Sequence, residues 1–234
     1  MKKSINISLI LRLVIWFCCA ISFALILFPI KNFMHIVNTF AFFTNLSNLF
    51  VFVLTSYFLI KTFKNLKKDK MYVAKVNPVL HLFVLFTISV TMIVFTGLIV
   101  YIATNNAWAI LSNAGKHYIT EPLFHYVIPI LFIIDYVFFA SHGNITYKKA
   151  TDFCFYCAVY FLGLVLRAQT HTLLHNVPAI NYQSYYPYPF LDINSLGVLK
   201  TVISVTLCMI GFYLYSLLLI WLDNKLSQKK LAKT

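Results

Sequence analysis

FFTNLSNLF, residues 42–50, lies between HIVNTFA (35–41) and VFVLTSYFLI (51–60). The flanks are apolar enough to cross a membrane, and Thr44, Asn45, Ser47 and Asn48 interrupt them. Inside a bilayer such groups need partners within the protein, because lipid offers none. Thr44, Ser47, Asn48, Val51 and Thr55 recur at intervals of three and four, which puts them on one helix face, and Asn45 falls roughly 100° off it. That face belongs inside a bundle. Two readings fit it: hydrogen-bonding glue between helices, or part of a polar site.

The rest of the chain has the same character. Of 234 residues, 61% are hydrophobic and 11% charged, which excludes an ordinary soluble domain. Apolar runs of about 20 residues, enough to cross roughly 30 Å of hydrocarbon, recur at about 7–28, 37–60, 81–103, 122–141, 152–174 and 199–221. The expected fold is all-α, a polytopic bundle of six transmembrane helices forming a single domain over 1–234. The N-terminal run is too long for a signal peptide and has no clear cleavage site, so it counts as the first span.

The net charge of +13 does not point to nucleic acid. With six spans, all Lys and Arg except Lys31, Lys116, Arg167 and Lys200 fall on one side. The positive-inside rule makes that side cytoplasmic and puts both termini there. The charge is a topology signal, with some attraction to anionic lipid. All five cysteines fall inside expected spans. Cys154 and Cys157 form a C-x-x-C without a second pair, and read as small core residues.

This topology gathers scattered polar residues near the outer face. Thr44 stands about seven residues into span two and Arg167 about seven before the end of span five, each roughly 10 Å deep. His125 stands near the outer start of span four, roughly 6 Å deep. An ionisable residue within a span is a functional candidate, and a hydroxyl with an imidazole makes a nucleophile and base. Arg167 either snorkels to the surface or holds an anionic group. Asp135, about 15 Å below His125 on the same helix, is too far away to orient it. It reads as protonated or paired with a neighbouring helix, as a relay or as a structural acid. His171 and His175 would share a face if span five reached them, with His125 or Asp192 as a third zinc ligand. Nothing else in the sequence asks for a metal or cofactor. The Tyr- and Pro-rich stretch NVPAINYQSYYPYPFLDINSLG (176–197) reads as an interfacial belt or as a lid, with Asp192 aimed at Arg167 or a histidine.

FFTNLS, HYVIPILFIID (125–135) and YPFLD (188–192) together resemble the androgen-induced protein family, which includes the androgen-dependent TFPI-regulating protein and bacterial six-helix relatives. The resemblance covers nearly the whole chain in order and span count. It implies a threonine hydrolase of lipid esters, in animal members fatty acid esters of hydroxy fatty acids. The family nucleophile falls on Thr44, its histidine on His125 and a family acid on Asp135. The proline after His125 stands one position nearer than in the animal members, and the NLSN after Thr44 is more polar. Both departures bear on substrate.

The expected function is therefore an intramembrane lipid ester hydrolase of a bacterial cell membrane. Thr44 is the nucleophile and His125 the base, with Ser47 as a reserve nucleophile. Ser47 or Asn48 donates to the oxyanion, and Arg167 and Asp192 help bind the lipid. The bilayer and the lipid ester are the expected partners. A proton-coupled transporter built on Asp135, Arg167 and the histidines, and a non-catalytic lipid-binding protein, are the rivals.

Overall fold

A computed structural model describes residues 2–66, 72, 74–99, 117–143, 145–177 and 182–231. The basic run from Lys67 to Lys70 and positions 100–103 of the expected third span lie outside the described residues. Among the described residues, six helices are long and apolar enough to cross a membrane: Ile7–Leu27, Phe43–Asn65, Pro78–Gly97, Ile119–Phe139, Lys149–Ala168 and Val198–Gln228. The chain is an all-α multi-pass membrane protein, with one short β-ribbon among the described residues. Where the sequence suggests a single domain, the structure has two compact units, Met1–Asn144 with Asp223–Thr234, and Ile145–Leu222.

The first unit holds α1 (Lys2–Leu27), α2 (Phe33–Phe40), α3 (Phe43–Leu66) and α4 (Pro78–Val94), which runs into a π-helical turn at Phe95–Ile99. It continues with α5 (His117–Pro122), a second π-turn at Leu123–Val127, and α6 (Ile128–Phe139). The faces of α1 show why these helices pack as they do. Ile7, Ile10, Val14, Phe17 and Ile21 form an exposed, wholly apolar stripe at helical spacing. Ser8, Arg12, Ile15, Cys19 and Ser22 form the buried stripe opposite. A water-soluble helix would present these faces the other way round. On α6, Ile130, Ile134 and Phe138 are exposed while Asp135 is fully buried. Val51, Phe58, Leu82, Phe86, Ile88, Ile128 and Phe132 are completely enclosed between the helices.

The second expected span, 37–60, is not one helix. It breaks between α2 and α3, at Ala41 and Phe42. Ala41 N–H turns back to the Asn38 carbonyl three residues earlier at 3.3 Å, closing a tighter turn than the α-helical one. Asn45 Nδ2 donates to the Thr39 carbonyl at 2.6 Å across the break. Phe42 O accepts from both Asn45 N (3.0 Å) and Leu46 N (3.2 Å), which starts α3. Thr44 therefore sits in the first turn of α3 and not in mid-helix.

The second unit holds α7 (Lys149–Ala168), strands β1 (His175–Val177) and β2 (Tyr182–Ser184), a 3₁₀ turn at Pro189–Leu191, α8 (Ile193–Leu196) and most of α9 (Val198–Leu231). The last nine residues of α9, from Asp223 on, belong to the first unit. The helix α7 ends at Ala168, six residues short of the expected 174. Gln169, Thr170 and His171 each bond the carbonyl three residues back, and His171 takes φ +52°, which stops the helix. Arg167 is consequently in the last turn of α7, and His171 and His175 do not share a helix face: one is in the turn and the other on β1. Cys154 and Cys157 are buried on α7.

Candidate active site

The first turn of α3 and the π-turn ahead of α6 bring Thr44 and His125 together. Thr44 Oγ1 lies 3.1 Å from His125 Nε2. Thr44 is partly exposed, while the histidine is 5% exposed. Two prolines set up this segment. Pro122 and Pro129 lack the N–H that an α-helix needs, and between them the chain widens into the π-turn, with Ile128 N–H bonding Leu123 O, five residues back. Helical carbonyls are thereby freed for side chains. Phe124 O accepts from Asn48 Nδ2 at 3.2 Å, and Glu121 O lies 3.0 Å from His125 Nδ1. The Glu121 carboxylate is also at that nitrogen, with Oε2 at 2.9 Å. Phe95, in the other π-turn, stacks on the imidazole with centroids 3.7 Å apart and planes 16° from parallel.

These contacts settle which ring nitrogen does what. Everything within reach of Nδ1 is an acceptor, so Nδ1 carries the hydrogen. In the neutral ring, Nε2 then holds the free lone pair, and the Thr44 hydroxyl donates to it. Thr44 also lies at the positive end of the α3 dipole, where negative charge on oxygen is favoured.

Ser47 and Asn48 have other tasks than those expected. Ser47 is fully buried, and its hydroxyl donates to Phe43 O at 2.8 Å. Asn48 Nδ2 gives its hydrogens to Thr44 O (2.8 Å) and Phe124 O (3.2 Å), tying α3 to the π-turn. Neither donor is spare for an oxyanion. Both serve as the helix glue that the sequence allows, and Asn48 holds together the backbones that carry Thr44 and His125.

Arg167 and Asp192 belong to the second unit, and they do not pair with each other. Arg167 Nη1 donates to Tyr185 O at 2.6 Å, fastening the loop to the end of α7. Asp192 Oδ1 accepts from Asn194 N (3.0 Å) and Ser195 N (3.3 Å) as the N-cap of α8. His175 Nε2 donates to Pro187 O at 3.1 Å, and burial holds its pKa below the usual histidine value.

A second polar cluster lies at the other end of the first unit. Arg12 grips Asp135 with two bonds, Nε to Oδ1 at 2.8 Å and Nη2 to Oδ2 at 3.3 Å, and donates from Nη1 to Ala74 O at 3.0 Å. The guanidinium also lies over the Phe58 ring, 4.0 Å from its centroid. His81 Nε2 approaches Asp135 Oδ2 at 3.8 Å. Beside this cluster, Asp223 accepts from Tyr136 Oη (2.6 Å), His142 Nδ1 (2.7 Å) and Gly143 N (2.8 Å). Asp135 is thus paired with a neighbouring helix, one of the two alternatives its depth leaves open.

Glu121, Phe95, Arg12, His81 and Asp223 do not emerge from the sequence reading. Two carried a usable signal. Glu121 stands four residues before His125, on the same helix face, and Arg12 is a charge inside a span. Comparisons with protein-family models, with curated proteins and with solved structures find no match for the chain.

Proposed function

We propose that the chain is an intramembrane hydrolase of lipid esters, akin to the androgen-induced protein family, working in a bacterial cell membrane. The observation that carries this reading is the 3.1 Å contact from Thr44 Oγ1 to a histidine nitrogen whose lone pair accepts from the hydroxyl. That distance is within proton-transfer reach. His125 Nε2 takes the Thr44 proton as Oγ1 attacks the ester carbonyl carbon. The tetrahedral oxyanion forms at the N-terminal end of α3, whose dipole favours it. His125 returns the proton to the departing alkoxide, leaving an acyl-threonine. Water then attacks the acyl carbon, with His125 as base again, and the acid and Thr44 are released. The acyl chains lie along the apolar helices, and no cofactor enters the chemistry. The outer-leaflet position follows from the charge distribution along the sequence.

The test is labelling of the purified protein by a fluorophosphonate probe, together with hydrolysis of a fatty acid ester of a hydroxy fatty acid in detergent micelles. Labelling should vanish in Thr44→Ala. Hydrolysis should fall on the order of 10²-fold or more in both Thr44→Ala and His125→Gln. An ester still cleaved at the wild-type rate by Thr44→Ala overturns the reading.

The second polar cluster favours the transporter rival, which needs ionisable groups toward the cytoplasmic side. Between the two clusters, however, lie Val51, Leu54, Leu85, Ile88, Ile128 and Phe132, all buried and apolar. The buried hydroxyls of Thr55, Thr87 and Ser89 are bonded to carbonyls of their own helices. A proton path would have to cross that layer. Proteoliposomes with an internal pH dye separate the two: a transporter collapses an imposed gradient and the hydrolase leaves it standing.

A further inference from the structure

Glu121 is the only glutamate in the chain. Its side chain is 27% exposed, with Oε2 itself buried, while the His125 side chain beside it is 7% exposed. A pair four residues apart on a helix surface ordinarily leaves both side chains in water and adds a few tenths of a kcal/mol. Here the ring is enclosed and all its contacts are assigned. Phe95 covers one face, Thr44 stands at Nε2, the Glu121 carbonyl accepts at Nδ1, and the Glu121 carboxylate lies 2.9 Å from that nitrogen as an ion-pair contact.

We infer that Glu121 is the positioning residue of a Thr44–His125–Glu121 triad: its carboxylate, 2.9 Å from Nδ1, favours a hydrogen on that nitrogen by its charge and balances the imidazolium formed when Nε2 takes the Thr44 proton. The role in catalysis rests on the hydrolase reading, whereas the hold on the ring rests on geometry alone. No covalent change occurs at Glu121. Asp135, the acid that the family resemblance points to, cannot take this place, because Arg12 engages both its oxygens ten residues further along the helix. The backbone carbonyl of Glu121 shares the tautomer-fixing task. What the carboxylate alone adds is charge in a low-dielectric site, where compensation of a developing cation matters most.

The experiment uses the full chain in lipid nanodiscs, with ¹⁵N-labelled histidine rings and the His125 signals assigned by their loss in His125→Gln. In the wild type, His125 should show a protonated Nδ1 and a bare Nε2. In Glu121→Ala it should shift toward a mixture of tautomers. On a soluble nitrophenyl ester, kcat should fall about ten- to a hundredfold in Glu121→Ala with KM within about twofold. That is less than the roughly 10⁴-fold loss on altering a serine-protease triad acid, because the carbonyl remains. Glu121→Gln keeps an acceptor but no charge. It should retain the tautomer and still lose kcat, and it replaces the alanine variant should that one fail to fold. Glu121→Asp should recover part of the rate. Unchanged ring signals and unchanged kcat in both Glu121→Ala and Glu121→Gln overturn the inference. A wild-type chain that cleaves no ester, but whose His125 ring still scrambles in Glu121→Ala, overturns the hydrolase reading and supports the positioning of the ring.

Discussion

Asp135 and Arg12 show how single residues settle the cost of charge in this protein. Both are almost completely enclosed, and either one alone would be a buried charge without compensation. Removing one partner should therefore cost about 3–5 kcal/mol, whereas replacing both with apolar groups of similar volume should be close to neutral or stabilising. Thermal unfolding in detergent should show a large drop in midpoint for Asp135→Leu and for Arg12→Met, with most of it recovered in the double variant. Equal losses that simply add would mean the pair is not coupled. Other acids also have partners at close range, the Asp152–Lys149 pair on the exposed surface. Glu121 meets His125, Asp223 meets His142, and Asp152 meets Lys149 at 2.7 Å. Thr44 and Ser47 illustrate the opposite point, that residue type does not decide role. Both carry hydroxyls on the same helix, but Ser47 spends its hydrogen on a carbonyl one turn back, while Thr44, in the first turn, faces a base.

Among the elements, terminations matter more than helices. The chain leaves α6 through Gly143, which has φ +99° and sits where a Cβ would collide with the Ser227 side chain on α9. Only glycine accepts both conditions. Gly143→Ala should destabilise the first unit by about 1–3 kcal/mol, read as a lower unfolding midpoint. Gly211→Ala, which meets nothing within 4 Å, should not. A midpoint for Gly143→Ala equal to the wild type would mean that the turn relaxes freely. In the second unit, the loop from β1 to α8 is held by backbone bonds, such as Leu174 N to Ser184 O at 2.9 Å. His175 adds a pH dependence. Its folded pKa is depressed below 6.5 by burial, partly offset by the Pro187 carbonyl and by Asp192. The unfolded loop thus binds the proton more tightly, so the stabilisation is complete above pH 6.5 and is lost as the pH falls below it. Amide exchange at Leu174, corrected for intrinsic rate, should speed up between pH 7.5 and pH 5. His175→Gln should abolish that dependence.

For the whole molecule, the contacts in the first unit agree with alternating spans. Thr44 and His125 both begin spans and meet at one end. Arg12, early in the first span, meets Asp135, late in the fourth, at the other end. That arrangement predicts labelling by a membrane-impermeant maleimide. Lys31→Cys and Lys200→Cys should react from outside intact cells, and Lys64→Cys and Lys149→Cys only after lysis. Labelling of Lys149→Cys from outside would refute the assigned topology.

The sequence alone determined the membrane class and the number of spans. These depend on hydrophobic length and charge placement, and both are local properties that a bilayer reads directly. It also named Thr44 and His125 as candidates, since polar and ionisable groups in a span are costly wherever the helices go. Tertiary structure decided the rest. The break before Thr44, the early end of α7 at Ala168 and the π-turn around His125 follow from where carbonyls and side chains find partners across the fold. The same holds for Glu121 at Nδ1, for Asp135 in the grip of Arg12, and for Asn48 as a clamp in place of an oxyanion donor. Hydrogen bonds between residues as far apart as Arg12 and Asp135 are chosen by packing, and helical periodicity carries no record of that choice.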